Sequence, residues 1–266
     1  MTMEKVKSAK RVVVKVGSST LTYENGKLNL QRIEKMCRVL SDLKNTGREV
    51  ILVSSGAVSA GIGKLNLERR PSSVEEKQAL AAVGQGVLMM IYERFFGDYG
   101  HTVAQILLTR DIVNNEVPRT NAENTFATLL KMGCIPIVNE NDTVAFDEIK
   151  FGDNDTLSAY VSVLAKADLL INMSDTDGFY DSDPRTNPNA KMLKRIPKVD
   201  EALYACADGA GSARGTGGMT SKLHAAEIAC GNGVPMMIVS GEDFSILYDM
   251  LNEGIQHGSY FEPFEK

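Results

Sequence analysis

The stretch Arg11-Val12-Val13-Val14-Lys15-Val16-Gly17-Ser18-Ser19 joins an apolar run to a polar loop that contains a glycine. Runs made almost entirely of Val, Ile and Leu are typical of parallel strands that helices cover on both faces. Lys15 is the exception, because a charge inside a sheet is costly unless it is paired or reaches the strand's end. The stretch predicts a buried parallel strand with a cation at its carboxyl end; a lysine that only extends to solvent is the alternative.

The same alternation of apolar and amphipathic segments recurs along the chain. Strands are predicted at Arg11–Val16, Glu49–Val53, Thr102–Leu108, Cys134–Val138, Leu169–Met173 and Pro235–Val239. Helices are predicted near Leu30–Lys44, Val74–Phe96, Val117–Lys131, Thr156–Lys166 and Met219–Cys230. This order is typical of an α/β fold with right-handed crossovers. We expect a three-layer α/β/α sandwich with a mainly parallel central sheet, in which residues 1–266 form a single domain.

Composition limits the class of protein. The 266 residues are 43% apolar, and the formal net charge of −5 argues against a nucleic-acid-binding protein, which normally presents a basic face. Cys37, Cys134, Cys206 and Cys230 are far apart in sequence and predict free thiols. The polar N-terminus does not resemble a signal peptide, and no run predicts a membrane span. We expect a soluble cytoplasmic protein with no nucleic-acid or membrane partner.

Polar clusters stand where the predicted strands end. They are Lys15–Ser19, Ser54–Ala57, Asn139–Asp142 and Ser174–Gly178, while Gly152–Asp155 opens a helix. In open α/β sheets, ligands bind at the carboxyl ends of the strands. Each cluster alone could be a turn or a helix cap, but five clusters at one edge of one sheet predict a ligand-binding site.

A glycine-rich segment, Gly215-Thr216-Gly217-Gly218-Met219-Thr220-Ser221-Lys222, precedes the last predicted helix. Unpaired N–H groups at a helix start favour anions, and glycines let the backbone approach a phosphate closely. A flexible surface turn is the alternative for this segment taken alone. Lys15 and Lys222 at one sheet edge would suit nucleotide phosphates during phosphoryl transfer, which depends on positioning and charge neutralisation.

The acceptor is indicated by the remaining polar residues. The carboxylates of Asp142, Asp153, Asp155 and Asp175 would repel a bare phosphate, so we expect an ammonium group, a magnesium ion or a lysine among them. The backbone of Ser55-Gly56-Ala57 could hold a substrate carboxylate, and Asp142 could accept from an α-ammonium. Together these features suggest an amino acid.

The three histidines, His101, His224 and His257, lie outside these clusters, and no Ser-His-Asp or zinc pattern is present. A carboxylate acceptor has a solution pKa near ~4.3 and is already ionised at neutral pH, so it needs no base. The lack of a histidine base is compatible with acyl-phosphate formation, although an aspartate could serve as a base instead.

The motifs together resemble the amino acid kinase family, and within it the members that phosphorylate glutamate. They are Val14–Ser18, Val53–Ala57, Asn139–Asp142, Phe151–Asp155 and Gly215–Met219, in order from about Arg11 to about Gly241. The resemblance implies the amino acid kinase fold and transfer of the ATP γ-phosphoryl group, with Mg²⁺, to the side-chain carboxylate of L-glutamate. The product would be L-glutamyl 5-phosphate, in the first step of proline biosynthesis.

The resemblance also implies roles for individual residues. Lys15 and Lys222 would stabilise charge on the transferring phosphoryl group, and Asp155 would orient both lysines, with a water-mediated magnesium contact as a further option. The glutamate-binding positions that it implies, in the mainly N-terminal part, are Ser55, Asp142 and Asn154, and Gly56 and Ala57 join them through the backbone N–H groups that could hold a substrate carboxylate. Nucleotide-binding positions, mainly C-terminal, are Lys15, Gly17, Ser174, Asp175, Thr216, Gly217, Gly218, Met219, Thr220, Ser221 and Lys222. Asp153 either contacts glutamate or caps a helix, and both interpretations stay open.

The resemblance has one departure and leaves some questions open. Many members continue into a C-terminal PUA domain, for which 266 residues leave no room, so we expect no nucleic-acid binding of that kind. Feedback inhibition by L-proline, acting through 110–148, and a homo-oligomer (dimer or tetramer) are expected. Alternatives are a related kinase acting on aspartate, N-acetylglutamate or uridylate, and a non-catalytic sensor of nucleotide or amino acid.

Overall fold

Eight strands form one central sheet within the described part of the computed structural model, which covers residues 2–23, 25–69, 71–145, 151, 153–207 and 218–264. The strands are β1 (Arg11–Val16), β2 (Glu49–Ser54), β3 (Val103–Leu108), β4 (Ile135–Glu140), β5 (Leu169–Ser174), β6 (Arg195–Ile196), β7 (Met236–Ser240) and β8 (Ser259–Phe261). Their order is β3-β4-β2-β1-β5-β7-β8-β6, and the first six run parallel. Strand β8 is antiparallel to β7, so the sheet is mainly parallel, as predicted.

Helices cover both faces of this sheet. They are α1 (Thr2–Ser8), α2 (Ser18–Leu21), α3 (Leu30–Asn45), α4 (Ala57–Leu65), α5 (Val74–Asp98), α6 (Asp111–Asn114), α7 (Glu116–Lys131), α8 (Asn154–Leu164), α9 (Glu201–Ala207), α10 (Met219–Cys230) and α11 (Ile246–Tyr248), followed by a π-helical turn, Asp249–Glu253. Helices α1, α3, α4 and α5 pack on one face, and α7, α8 and α10 pack on the other. The predicted three-layer α/β/α sandwich is confirmed.

Side chains that alternate between the two faces of each strand divide the apolar core into two clusters, one on each side of the sheet. In β1, Val12, Val14 and Val16 belong to the cluster that includes α3 and α5, whereas Val13 belongs to the cluster that includes α8 and α10. Successive side chains of a strand point to opposite faces, so one apolar run supplies both layers. This explains why β1 reads as continuously apolar rather than as alternating.

Helix α4 was not predicted, and it packs closely against α5. A Cβ at Gly84 would lie 1.7 Å from the carbonyl oxygen of Ala57, and a Cβ at Gly61 would lie 2.1 Å from that of Leu80. Such distances are possible only for glycine. The two glycines therefore let the backbones of the two helices approach each other and fix the start of α4 at the end of β2.

Helix α5 is long and apolar enough to cross a membrane by length and composition alone, although the sequence analysis predicts no such span. Its side chains Leu88, Tyr92 and Phe96 are buried in the core, and it packs along α4. Helix α5 therefore packs into the core of the protein through these side chains. The four cysteines are free thiols, as predicted.

Candidate active site

A buried ionic cluster lies at the carboxyl end of the sheet. The Lys15 ammonium pairs with Oδ1 of Asp155, and the Lys222 Nζ donates to Oδ2 of Asp155 at 3.1 Å. Lys15 is 7% exposed, Lys222 5% and Asp155 1%. The three side chains that the sequence analysis assigns to phosphoryl transfer are thus in direct contact, with each lysine on a different oxygen of one carboxylate.

Three separate elements bring these side chains together. Lys15 is the penultimate residue of β1, Asp155 lies in the first turn of α8, and Lys222 lies in the first turn of α10. The Oγ of Ser221, next to Lys222, lies 3.3 Å from Oδ2 of Asp155. Two helix starts and one strand end therefore converge on a single carboxylate.

Electrostatics keep Asp155 ionised. Burial by itself would raise the pKa of this carboxyl group, but the charges of Lys15 and Lys222 and the hydrogen bond from Asn172 outweigh burial and hold the pKa well below its usual range. The three charged side chains sum to one net positive charge in a buried site. Such an arrangement favours an anionic ligand.

Asn172 belongs to this cluster and was missed by the sequence analysis. It is fully buried in β5, and its Nδ2 donates to Oδ1 of Asp155 at 2.7 Å. The sequence does contain a signal for this residue, because the amide of Asn172 interrupts the apolar run Leu169–Met173 as Lys15 interrupts the run in β1. Only Lys15 was recognised as exceptional there.

A cleft opens beside Lys222 and the start of α10. Its lining is formed by Asp175, Thr176, Tyr180, Ser182, Asp183, Pro184, Arg185, Cys206, Gly218, Met219 and Lys222. Within this cleft the sequence analysis had named Asp175, Gly218, Met219 and Lys222; the loop 180–185 and Cys206 were missed because nothing in their local pattern marks a ligand. Thr220 is exposed and is not part of this lining.

Only part of the glycine-rich segment lies within the described residues. Thr216 and Gly217, both predicted to bind nucleotide, lie outside the described residues, as does Gly215. Helix α10 begins after Gly218, which has no side chain that could cap the helix. The first N–H groups of α10 have no intrahelical acceptor, as in the first turn of any helix, and this turn also carries Lys222.

Two further predicted nucleotide-binding positions flank the cluster at the strand ends. A Cβ at Gly17 would lie 3.9 Å from the Nζ of Lys15, an ordinary van der Waals distance, so Gly17 lies directly beside the ammonium group. Ser174 ends β5 and donates from Oγ to Asp175 Oδ1 at 3.0 Å, while its carbonyl accepts from Gly241 N–H at 2.6 Å.

The predicted glutamate-binding residues form an amide network on the other side of Lys15. Asn154 Nδ2 lies 2.9 Å from Ser55 Oγ, 2.9 Å from Asn139 Oδ1 and 3.2 Å from the Ser54 carbonyl oxygen. Asn139 in turn donates to Gln85 Oε1 of α5 at 3.0 Å. Ser55 and Asn154 are thus brought together, and Gln85 is an additional member that the sequence analysis did not name.

The backbone of 55–57 requires one correction. The N–H of Ser55 donates to the carbonyl of Val16 at 3.1 Å, so it is not available for a substrate carboxylate. Gly56, with φ of +98°, instead begins α4 without a side-chain cap. The N–H groups of Ala57, Val58 and Ser59 lie in the first turn of α4 and lack intrahelical acceptors, so the predicted carboxylate contact remains a prediction for Gly56 and Ala57 but not for the Ser55 N–H.

The carboxylates of Asp153, Asp142 and Glu140 differ in burial and in the groups that they contact. Asp153 caps α8, because its Oδ1 accepts from the N–H of Thr156 at 2.8 Å, and burial is the main reason that its pKa is raised. Asp142 lies partly exposed in the turn after β4. Glu140, in the same predicted cluster, is buried and accepts from the Phe151 N–H at 2.8 Å. The cap is thus observed for Asp153, and it does not exclude a contact to substrate.

A search of the described ranges finds no group of three or more His, Cys, Asp or Glu side chains arranged to hold a metal ion. Magnesium in kinases is commonly held by one or two carboxylates together with substrate phosphates. Residues near the cluster that could assist in this way are Asp155 and Asp175.

Comparisons with known proteins identify similar sequences over most of the chain. A sequence model described as the amino acid kinase family matches residues 10–240. A glutamate 5-kinase from Clostridium perfringens is 59% identical over 251 residues, 93% of both chains. One from Listeria innocua is 51% identical over 262 residues, 97% of this chain and 95% of its own.

Solved structures share the fold at low identity. Carbamate kinase from Giardia lamblia bound to AMP-PNP superposes with a TM-score of 0.67 at 14% identity, covering 96% of this chain and 99% of that one. An isopentenyl phosphate kinase superposes with a TM-score of 0.66 at 15% identity, covering 94% and 99%. These likenesses concern the architecture of the chain alone.

Proposed function

The chain belongs to the amino acid kinase family, and we propose that it transfers the γ-phosphoryl group of ATP to the side-chain carboxylate of L-glutamate. The product is L-glutamyl 5-phosphate, and the reaction is the first step of proline biosynthesis. The acceptor is supported by the 59% and 55% identical relatives named glutamate 5-kinase. The observation that carries the phosphoryl-transfer step is the pair of buried lysines held on opposite oxygens of Asp155.

Lys15 and Lys222 act on the transferring group by charge. Phosphoryl transfer depends mainly on positioning and on stabilisation of the negative charge that spreads over the phosphoryl oxygens. Two ammonium groups, buried and fixed by one carboxylate, meet that requirement without reorganisation. Asp155 holds them in place, and because its pKa is low it stays an anion at every physiological pH.

The glutamate site lies on the β2 and β4 side of Lys15. The start of α4 offers unpaired N–H groups to a substrate carboxylate, and Ser55 and Asn154 add a hydroxyl and an amide next to it. Asp142, in the turn after β4, accepts from the α-ammonium. Because the side-chain carboxylate of glutamate is already ionised at neutral pH, the reaction needs no general base.

The nucleotide occupies the cleft on the β5 and β7 side. Gly218, Met219 and Lys222 of its lining come from the start of α10, and Asp175 comes from the end of β5. When bound, Mg²⁺ neutralises phosphate charge and orients the transferring group. The N-terminal part of the single domain thus binds mainly glutamate and the C-terminal part mainly ATP.

Regulation and assembly complete the proposal. L-Proline acts as a feedback inhibitor through 110–148, which leads directly into Asp142. The protein forms a homo-oligomer and works in the cytoplasm.

The experiment that tests the reaction measures ATP- and magnesium-dependent acyl-phosphate formation, with product trapped by hydroxylamine. L-Glutamate, L-aspartate and N-acetyl-L-glutamate are compared in parallel. We expect hydroxamate with L-glutamate alone, lost in Lys222→Ala and retained in Lys131→Ala, which removes an exposed lysine at the end of α7. Hydroxamate formed with another acceptor would overturn the assignment of L-glutamate as the substrate. No hydroxamate with any acceptor would favour a non-catalytic sensor.

The role of Asp142 has a separate test. Asp142→Ala should raise the KM for glutamate far more than the KM for ATP, because the α-ammonium loses its acceptor. Equal increases in both KM values would contradict this assignment.

A further inference from the structure

Asn172 is a polar residue at the centre of an apolar strand. It is fully buried between Ile171 and Met173 in β5, and its Oδ1 has no hydrogen-bond partner within the described ranges. Buried polar atoms are nearly always paired, and an unpaired one destabilises the fold. A leucine would fill a similar volume without this penalty. The amide is therefore poorly explained by packing.

The position of Asn172 in the sheet points to the reaction centre. It is the direct register partner of Lys15 on the neighbouring parallel strand β1, so both side chains lie on the same face. Strands β1 and β5 also mark the place where the chain changes from building one side of the sheet to building the other. Ligands of open α/β sheets bind at such a switch point.

Asn172 makes the shortest neutral hydrogen bond to the Asp155 carboxylate among the described residues. Oδ1 of Asp155 is contacted by one cation, Lys15, and by one neutral donor, Asn172 Nδ2 at 2.7 Å. Oδ2 is contacted by one cation, Lys222 at 3.1 Å, and lies 3.3 Å from the Ser221 hydroxyl, whose single proton also has the Gly218 carbonyl oxygen as an acceptor at 2.9 Å. The carboxylate cannot rotate about its Cβ–Cγ bond without losing contacts on both oxygens.

We propose that Asn172 is a positioning residue for phosphoryl transfer, which acts by fixing the Asp155 carboxylate and, through it, the directions of the Lys15 and Lys222 ammonium groups. The inference rests on the proposed function, because it concerns the two lysines that stabilise the transferring group. It adds a residue to that site and predicts an effect on kcat rather than on either KM, because the lysines act on charge that develops in the transition state.

The first test is Asn172→Leu, which removes the donor and fills the space. Hydrogen bonds to charged groups are strong enough that kcat should fall about tenfold to a hundredfold. The KM values for ATP and glutamate should stay within about twofold of wild type. The midpoint of thermal unfolding should stay the same or rise, because the unpaired Oδ1 is removed. Ile171→Leu, a neighbouring fully buried substitution in β5, is the matched control and should keep wild-type kcat.

The second test is Asn172→Asp, which gives a readout that packing alone would not move. When protonated, the introduced carboxyl group donates an O–H to Asp155 as the amide does; when ionised, it repels Asp155. The ratio of variant to wild-type kcat should therefore rise as the pH is lowered from about 8 to about 5.5. A ratio independent of pH, or an Asn172→Leu variant with wild-type kcat or with a lowered unfolding midpoint that accounts for its lost activity, would overturn the proposal.

The activity of the wild-type enzyme distinguishes a failure of the proposed reaction from a failure of the proposed role of Asn172. If wild type forms no acyl phosphate, the proposed function fails and the positioning role fails with it. If wild type is active and the Asn172 variants behave like Ile171→Leu, only the role of Asn172 is overturned. If wild type prefers another acceptor, the same variants are compared with that acceptor, since the role concerns the phosphoryl group.

Discussion

Val14 and Lys15 are neighbours on β1, yet they lie on opposite faces of the sheet in different surroundings. Val14 packs in the apolar cluster that includes α3 and α5, whereas Lys15 contacts Asp155 at the start of α8. The same division recurs in β5, where Ile171 belongs to the first cluster and Asn172 contacts Asp155. Both faces of the sheet pack against helices, and the face that Lys15 and Asn172 share also carries the ionic cluster at its carboxyl end.

The difference shows how one sheet can carry buried charge without losing its core. Because side chains alternate along a strand, a charged residue occupies one face while its neighbours keep the opposite face apolar. The charge is also placed near the end of the strand, where helix starts bring compensating groups. Changes on the two faces should therefore affect different observables.

The largest contrast is expected between adjacent residues of β1. Lys15→Met should lower kcat about 10²- to 10³-fold, because one preorganised cation is removed from the transition state. Val14→Ala should leave kcat per folded molecule unchanged and lower the free energy of unfolding by about 2 kcal/mol, through lost burial and a small cavity. Steady-state kinetics and denaturant unfolding of both variants measure this contrast. A large decrease in the kcat of Val14→Ala would contradict the expected separation of activity from stability.

A second contrast lies within α5. Gly84→Ala places a Cβ against the Ala57 carbonyl, so we expect a loss of about 1–3 kcal/mol in the free energy of unfolding from overpacking. The displaced start of α4 should also raise the KM for glutamate and leave that for ATP unchanged. Gly86→Ala is the matched control, because a Cβ there meets nothing within 4 Å. It should be neutral or stabilise by up to about 1 kcal/mol, through higher helix propensity.

Gln85 tests whether α5, which packs on the face of the sheet opposite Lys15, contributes to the glutamate site. It extends from α5 to accept from Asn139, which in turn accepts from Asn154. Gln85→Met keeps the length of the side chain and removes the acceptor, so the KM for glutamate should rise about threefold to tenfold, the loss of one ordinary hydrogen bond. The KM for ATP is the internal control. An unchanged KM for glutamate would confine the site to the other face of the sheet.

The smallest effect is expected at Asp153. Asn is as good a helix cap as Asp, so Asp153→Asn should keep α8 intact. Burial is the main cause that raises the pKa of Asp153, so the folded protein holds this proton more tightly than the unfolded chain does. Wild type therefore loses stability relative to the variant as the pH rises through that pKa.

Unfolding free energies of wild type and Asp153→Asn at several pH values measure this difference. We expect a gap of less than about 1 kcal/mol that widens with pH and closes in acid. A glutamate KM that rises in the variant would indicate that Asp153 also contacts the substrate.

The main elements of the fold could be predicted from the sequence because their signals are local. All six predicted strands and all five predicted helices are present, with boundaries shifted by a few residues. Helix α4 was missed because Gly61 and Gly63 weaken its helical pattern, and it depends on the close contact with α5. Strands β6 and β8, of two and three residues, are too short to have a periodic signature.

The sequence by itself determined the residue types of the site and the sheet edge where they gather, because Lys15, Asp155 and Lys222 stand at strand and helix ends that a parallel fold brings together. Only the tertiary structure decided that the two lysines contact different oxygens of Asp155, that Asn172 completes the cluster, and that α4 rather than Ser55 offers free N–H groups. These features depend on distances between side chains and backbone groups from segments far apart in the chain. No local pattern encodes such distances, since they follow from how the strands pair and how the helices pack upon them.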